Sequence, residues 1–145
     1  GLLLGLGLRS LRLGALSLVP TILPAAVAFG VWGIFVGQVG LASSVVAAMT
    51  LGILSDDTVH FLGRYRESLR LQGDRTAAVG HAFRESGQAL WITTLVLMSG
   101  FGILALSNFR TNAHLGILTV IILSLGLLAD FVLLPALLLF GVKKK

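Results

Sequence analysis

The sequence predicts an all-α fold, a polytopic transmembrane helical bundle, and three observations predict it. The 145-residue chain is 56% hydrophobic, with a mean hydropathy of +0.97. Only 12% of its residues are charged, and residues 13–55 carry no charge at all. Ten of the eleven lysines and arginines fall on one side once the apolar runs are folded back on one another. Such a composition belongs to membrane-embedded helical proteins. The net charge of +5 collects at the ends of apolar runs, so it is not a nucleic-acid signature. No cysteine is present, which excludes disulfides and thiolate metal sites.

The chain opens inside an apolar run, residues 1–8, with neither a charged leader nor a cleavage site. This run is expected to be a partial helix of a longer protein, whose C-terminal end is Lys143-Lys144-Lys145. A span needs about 20 apolar residues to cross ~30 Å of hydrocarbon. Residues 13–55 are too many for one span, and Gly37-Gln38-Val39-Gly40 supplies the turn. Helices are therefore expected at about 15–36 and 41–62. Pro20 and Pro24 lie in the entry of the first, where neighbouring helices can re-satisfy the freed carbonyls. Gly33-x-x-x-Gly37 and Ala48-x-x-x-Gly52 offer flat surfaces for close helix approach, and small residues recur at Ser99, Gly100 and Gly102.

A polar stretch, 64–88, follows. Gly73-Asp74 breaks it, and Asp74 is placed to cap a short helix from Arg75 to about Ser86. Ala78, Ala82 and Phe83 form the apolar stripe of that helix. The expectation is an amphipathic segment on the cytoplasmic membrane surface, with an ordinary connecting helix against the bundle as the alternative. A third span is expected at about 89–106 and a fourth at about 114–140. With this count only Arg110 falls on the side opposite Arg9, Arg12, the arginines of 64–84 and the terminal lysines. The positive-inside rule then makes the basic side cytoplasmic.

The chemistry-bearing residues are the polar ones inside these runs. Asp56 and Asp57 precede His60 by four and three residues, spacings that make neighbours on one helix. Asp56 lies eight residues before Arg64, or ~12 Å at ~1.5 Å per residue. A short acidic side chain at that depth must face protein, water or a partner charge. Two adjacent carboxyls in such surroundings are expected to titrate as a coupled unit, with at least one protonated in some states. That is the requirement of a proton relay, for which Asp56, Asp57 and His60 are the candidates. A static hydrogen-bonded knot is the bland alternative. Asp130 is a second intramembrane acid, and with Thr93, Thr94 and Ser99 it forms a candidate polar network. Hydroxyls in membrane helices often bond back to their own carbonyls, which is the simpler reading of these three. His81 is expected to be solvated and His114 to sit at the outer boundary of the last span. No metal motif, cofactor site, nucleophile or oxyanion element is evident, and no enzyme activity is expected.

The run Gly52-Ile53-Leu54-Ser55-Asp56-Asp57-Thr58-Val59-His60-Phe61, with Arg64-Tyr65-Arg66-Glu67 after it, resembles the resistance–nodulation–division (RND) superfamily, and within it the MMPL-like branch of lipid and hydrophobe exporters. Thr93-Thr94-Leu95 through Gly100-Phe101-Gly102 and Leu106-Ser107-Asn108-Phe109 is similar to the penultimate helix of that family. Leu127-Leu128-Ala129-Asp130-Phe131 through Leu134-Pro135-Ala136-Leu137 is similar to its last helix. Arg9-Ser10-Leu11-Arg12 before a proline-containing helix also fits.

The resemblance implies a C-terminal half: the end of helix eight and helices nine to twelve of a twelve-helix transporter built as two related halves. It implies export of hydrophobic or amphiphilic substrates, lipid-like molecules or drugs, driven by the proton-motive force. It places the relay acids of the tenth helix at Asp56 and Asp57, with His60 where many members of this branch carry His. Some members have Asp-Tyr in place of Asp56-Asp57, which leaves open which acid carries the proton. The implied partners are protons, membrane lipids, the substrate and the N-terminal half of the same transporter; a homo-oligomer is left open, and no nucleic-acid partner is expected. Two relatives of the fold remain as alternatives. One is an accessory subunit of the bacterial protein-export channel, against which Asp56 and His60 argue. The other is a non-transporting sterol-sensing bundle, which has no use for a buried acid pair.

Overall fold

The computed structural model describes residues 11–37 and 40–140. The expected partial helix at 1–8, Arg9 and the terminal lysines 143–145 lie outside these residues. Every described element is helical. The elements are α1 (Leu11–Phe35), α2 (Leu41–Gln72), α3 (Arg75–Ala82), a π-helical turn π1 (Phe83–Gly87), α4 (Gln88–Ala105), α5 (Arg110–Leu128), a second π-helical turn π2 (Ala129–Leu133) and α6 (Leu134–Phe140). They form four rods long and apolar enough to cross a membrane, the third being α3–π1–α4 and the fourth α5–π2–α6.

The α1–α2 connection falls at the expected glycines. Gly37 takes φ +68°, a left-handed conformation that costs glycine nothing, and Gly40 caps α2. Pro20, Pro24, Ala28 and Trp32 recur every four residues along α1 and are all buried. The prolines thus lie on the face packed against the bundle. The opposite face exposes Ile22, Leu23, Val27, Val31 and Ile34, as suits a lipid-facing surface.

The segment 64–88 is not a separate helical piece. Helix α2 continues past residue 62 to Gln72, and the third rod starts at Arg75 and runs unbroken to Ala105. The turn between them is set by two residues. Gly73 at φ +69° closes α2 with its N–H on the Leu69 carbonyl, and the Asp74 carboxylate accepts from the N–H groups of Thr76 and Ala77 at 3.3 and 3.2 Å. The stripe read from the sequence is an interior one. Ala78 and Ala82 are fully buried in an apolar cluster with Phe61, Leu62, Tyr65, Leu134 and Leu138. Their small side chains let α3 lie close to α2.

A second apolar cluster, Ala28, Trp32, Val46, Leu54, Leu118 and Ile122, fills the other end of the bundle. Helix α2 and the fourth rod run side by side in one register between the two clusters. Leu54 fills the surface of Gly126, where a Cβ would overlap its side chain. One turn further along both helices, Thr58 meets Asp130. Gly116 plays a similar part in the α4–α5 hairpin: a Cβ there would stand 2.5 Å from the Ala105 nitrogen. The glycines singled out in the sequence are not contact points. Added Cβ atoms at Gly33, Gly37, Gly52, Gly100 and Gly102 would meet nothing within 4 Å. Small-residue spacing marks a surface that can be approached, and only a large residue opposite, as Leu54 is to Gly126, makes it an interface.

Candidate functional site

Helix geometry separates the two adjacent acids. Successive residues on α2 are rotated by about 100°, so Asp56 and Asp57 cannot face the same way. The buried face of α2 is marked by Val46, Thr50, Leu54, Thr58, Phe61 and Leu62. Asp57 is half-buried beside it, within electrostatic reach of Asp56, His60 and Asp130. Asp56 lies further round with His60, whose Nε2 stands 3.7 Å from the Asp56 Oδ1; both side chains are 74% exposed. The i, i+4 spacing therefore makes the expected pair, on the outer flank of the helix rather than in its core.

Asp130 is 3% exposed and sits in π2. Its Oδ1 accepts a hydrogen bond from the Thr58 hydroxyl at 3.1 Å, and the same hydroxyl lies 2.9 Å from the Leu54 carbonyl. A π turn inserts one residue into the helical repeat and re-aims the side chains after it, a feature common at functional sites. Here it accompanies the turn of Asp130 toward α2. Phe131 beside it packs edge-on against Phe83 at 5.3 Å and Trp91 at 6.3 Å, and Phe83 packs against Phe61 at 4.9 Å. This aromatic chain ties π1 to π2.

A cleft of about 310 Å³ opens between α2 and the π1–α4 segment. Asp56, Asp57, His60 and Arg64 line it from α2, and Glu85, Ser86, Ala89, Leu90 and Thr93 from the other side. At its basic end Arg64 Nη1 lies 3.3 Å from Glu85 Oε2 and 3.5 Å from Glu67 Oε2. Thr93 faces the cleft, and its hydroxyl lies 3.0 and 3.1 Å from the Ala89 and Leu90 carbonyls. The remaining candidates do not join it. Thr94 is buried and is not part of the lining. Ser99 is exposed and donates to the Leu95 carbonyl at 2.8 Å. His81 is partly buried rather than solvated, with Nε2 3.7 Å from Glu85 Oε1 and Nδ1 enclosed without a hydrogen-bond partner. His114 packs edge-on against Trp32 at 5.4 Å.

Three participants escaped the sequence reading: Thr58, Ser86 and the Arg64–Glu85 ion pair. Thr58 carried a signal, since it continues the every-fourth-residue stripe of Val46, Thr50 and Leu54 and adjoins Asp57. Glu85 and Ser86 carried none, because their aim depends on π1. Chemically, the cleft offers three carboxyls, a guanidinium, an imidazole and hydroxyl groups around one space, between helices long and apolar enough to cross a membrane. Such groups can accept, hold and release protons. Among the described residues, no three His, Asp or Glu side chains converge as a metal site would require.

The model of the MMPL family matches residues 1–144. ActII-3 of Streptomyces coelicolor is 32% identical over 98 residues, a stretch covering 67% of this chain and 14% of the relative. The chain thus corresponds to a small part of that relative's length. No solved structure matches the chain.

Proposed function

The chain belongs to the MMPL family, and from that premise we propose that it is part of an exporter of hydrophobic or amphiphilic molecules driven by protons. The observation that carries this reading is the cleft of charged and polar side chains on the flank of an otherwise apolar bundle, with Asp56, Asp57 and His60 on one wall. Ionisable groups at membrane depth are expensive and are retained where they move charge. Asp57 is the proton carrier in this reading. It stands between the exposed Asp56–His60 pair and the buried Thr58–Asp130 pair, so its protonation changes the field on both. Protonation and release at Asp57 alter the balance of charge between α2 and the fourth rod, and so bias their packing. The basic end, with Arg64, Arg66, Arg70, Arg75 and Arg84, faces the cytoplasm of a bacterial inner membrane. Protons, lipids and an amphiphilic cargo are its partners, and the chain catalyses no covalent reaction.

The test uses the intact transporter in everted membrane vesicles with an imposed pH gradient. The readout is gradient-driven movement of a hydrophobic naphthylamine dye. Asp57→Asn is expected to lower the rate by roughly a hundredfold, the usual weight of a positioned proton-transfer group. Asp57→Asn vesicles that keep the gradient-driven rate of the unmodified protein would overturn the reading.

A further inference from the structure

The cleft does not end at the acids. It continues to Arg64 and Glu85 at the basic end of the bundle, and Glu85 comes from a different rod. Glu85 has the features of a stepping stone. It lies in π1, among the residues lining the cleft, and its carboxylate touches two basic groups. One oxygen is 3.3 Å from Arg64 Nη1 and the other 3.7 Å from His81 Nε2. Its side chain is 42% exposed, so it meets both the cleft and water. Glu67 competes for the same guanidinium at 3.5 Å, so Arg64 has a second anion when Glu85 is neutral. The titratable groups facing this point are therefore Arg64, Glu67 and His81 around Glu85, with Asp56, Asp57 and His60 further along the cleft.

We propose that Glu85 is the exit carrier of the proton path, receiving the proton that leaves Asp57 and delivering it to water at the basic end. This rests on the reading of the acid cleft as a proton site. The step moves one proton and no electrons. The O–H bond at Asp57 breaks, the proton crosses the cleft through water or His60, and an O–H bond forms at Glu85. The neutral carboxyl lets go of Arg64, which turns to Glu67. Release of the proton to solvent restores the Arg64–Glu85 pair. Exit thus runs through the third rod rather than along α2, and the hairpin carries a charge contact that opens once per proton.

The experiment is time-resolved infrared spectroscopy of the intact transporter in lipid nanodiscs after a rapid pH jump, following the protonated-carboxyl band. Asp56→Asn with Asp57→Asn first identifies the part of the band that belongs to the acid pair. Glu85→Gln, which keeps the side chain's shape, is expected to slow relaxation of that part by about ten- to hundredfold. Added formate, a small mobile acid, is expected to restore the rate, and added chloride is not. Arg64→Gln breaks the same ion pair but leaves the carboxylate, and is expected to keep relaxation near the original rate. An unchanged rate in Glu85→Gln overturns the proposal. Equal slowing by Arg64→Gln without formate rescue also overturns it, because the pair is then only a structural tie. If the double asparagine variant removes no band at all, the acid cleft itself is not a proton site, and the earlier reading falls with this one.

Discussion

Asp130 and Asp57 lie in two different candidate spans, and their surroundings differ. Asp130 is enclosed, with its oxygen on the Thr58 hydroxyl, while Asp57 borders an open cleft. A buried acceptor that loses its donor is left with its full desolvation cost, about 1–3 kcal/mol. Thr58→Val removes the hydroxyl at constant volume, so it is expected to lower stability by about that amount, measured by thermal unfolding in detergent. Asp130→Asn can still accept from Thr58 and is expected to stay within about 1 kcal/mol of the original. The opposite ranking would place the stabilising contact elsewhere. Asp57→Asn should leave thermal stability nearly untouched, because the structure gives Asp57 no hydrogen bond to lose among the described residues. Its effect belongs to the coupling assay.

Among the elements, the register of α2 against the fourth rod decides whether Thr58 reaches Asp130 at all. Leu54 on Gly126 fixes that register one turn away. Gly126→Val forces either the Leu54 side chain or the helix to move, and overpacking of this kind costs about 1–3 kcal/mol. Leu54→Ala in the same protein is expected to recover much of the loss, giving a coupling term in a double-mutant cycle that independent sites would not show. At the α2–α3 turn, Asp74→Ala removes both capping bonds and is expected to cost ~1 kcal/mol. These elements differ in how far the sequence foretold them. The spans, the Gly37–Gly40 turn and the Asp74 cap were legible because apolar length, glycine and an N-cap residue act locally. The extension of α2 to Gln72 was not, since a polar run carries no hydropathy signal. The π turns and the Thr58–Asp130 contact were invisible for a related reason: they arise from packing between residues distant in the chain. The acids at 56 and 57 were found as residues, but their divergence needed the knowledge of which face of α2 is buried.

At the scale of the whole molecule, the bundle has two kinds of outer surface. Most of it is apolar, with Val96 on α4 (65% exposed), Ile103 and Val132 pointing outward as lipid contacts do. The flank of α2 is different, since Asp56 and His60 stand out from it with side chains 74% exposed. A carboxyl and an imidazole cannot face acyl chains at that depth without a large desolvation cost, and neither side chain is long enough to snorkel. In the full-length protein this flank is therefore expected to be covered by protein or to line an aqueous passage. Spin labels can separate the surfaces, because molecular oxygen concentrates in the hydrocarbon and a water-soluble nickel chelate does not. A label on His60→Cys is expected to show low oxygen accessibility, while one on Val96→Cys reports the high value of a lipid-facing site. Nickel accessibility at position 60 then distinguishes the two coverings: a low value means a packed helix, a high value a water path. Oxygen accessibility at 60 equal to that at 96 would mean the acid flank meets lipid directly, and the cleft would then lack the enclosure that a proton path across a membrane demands.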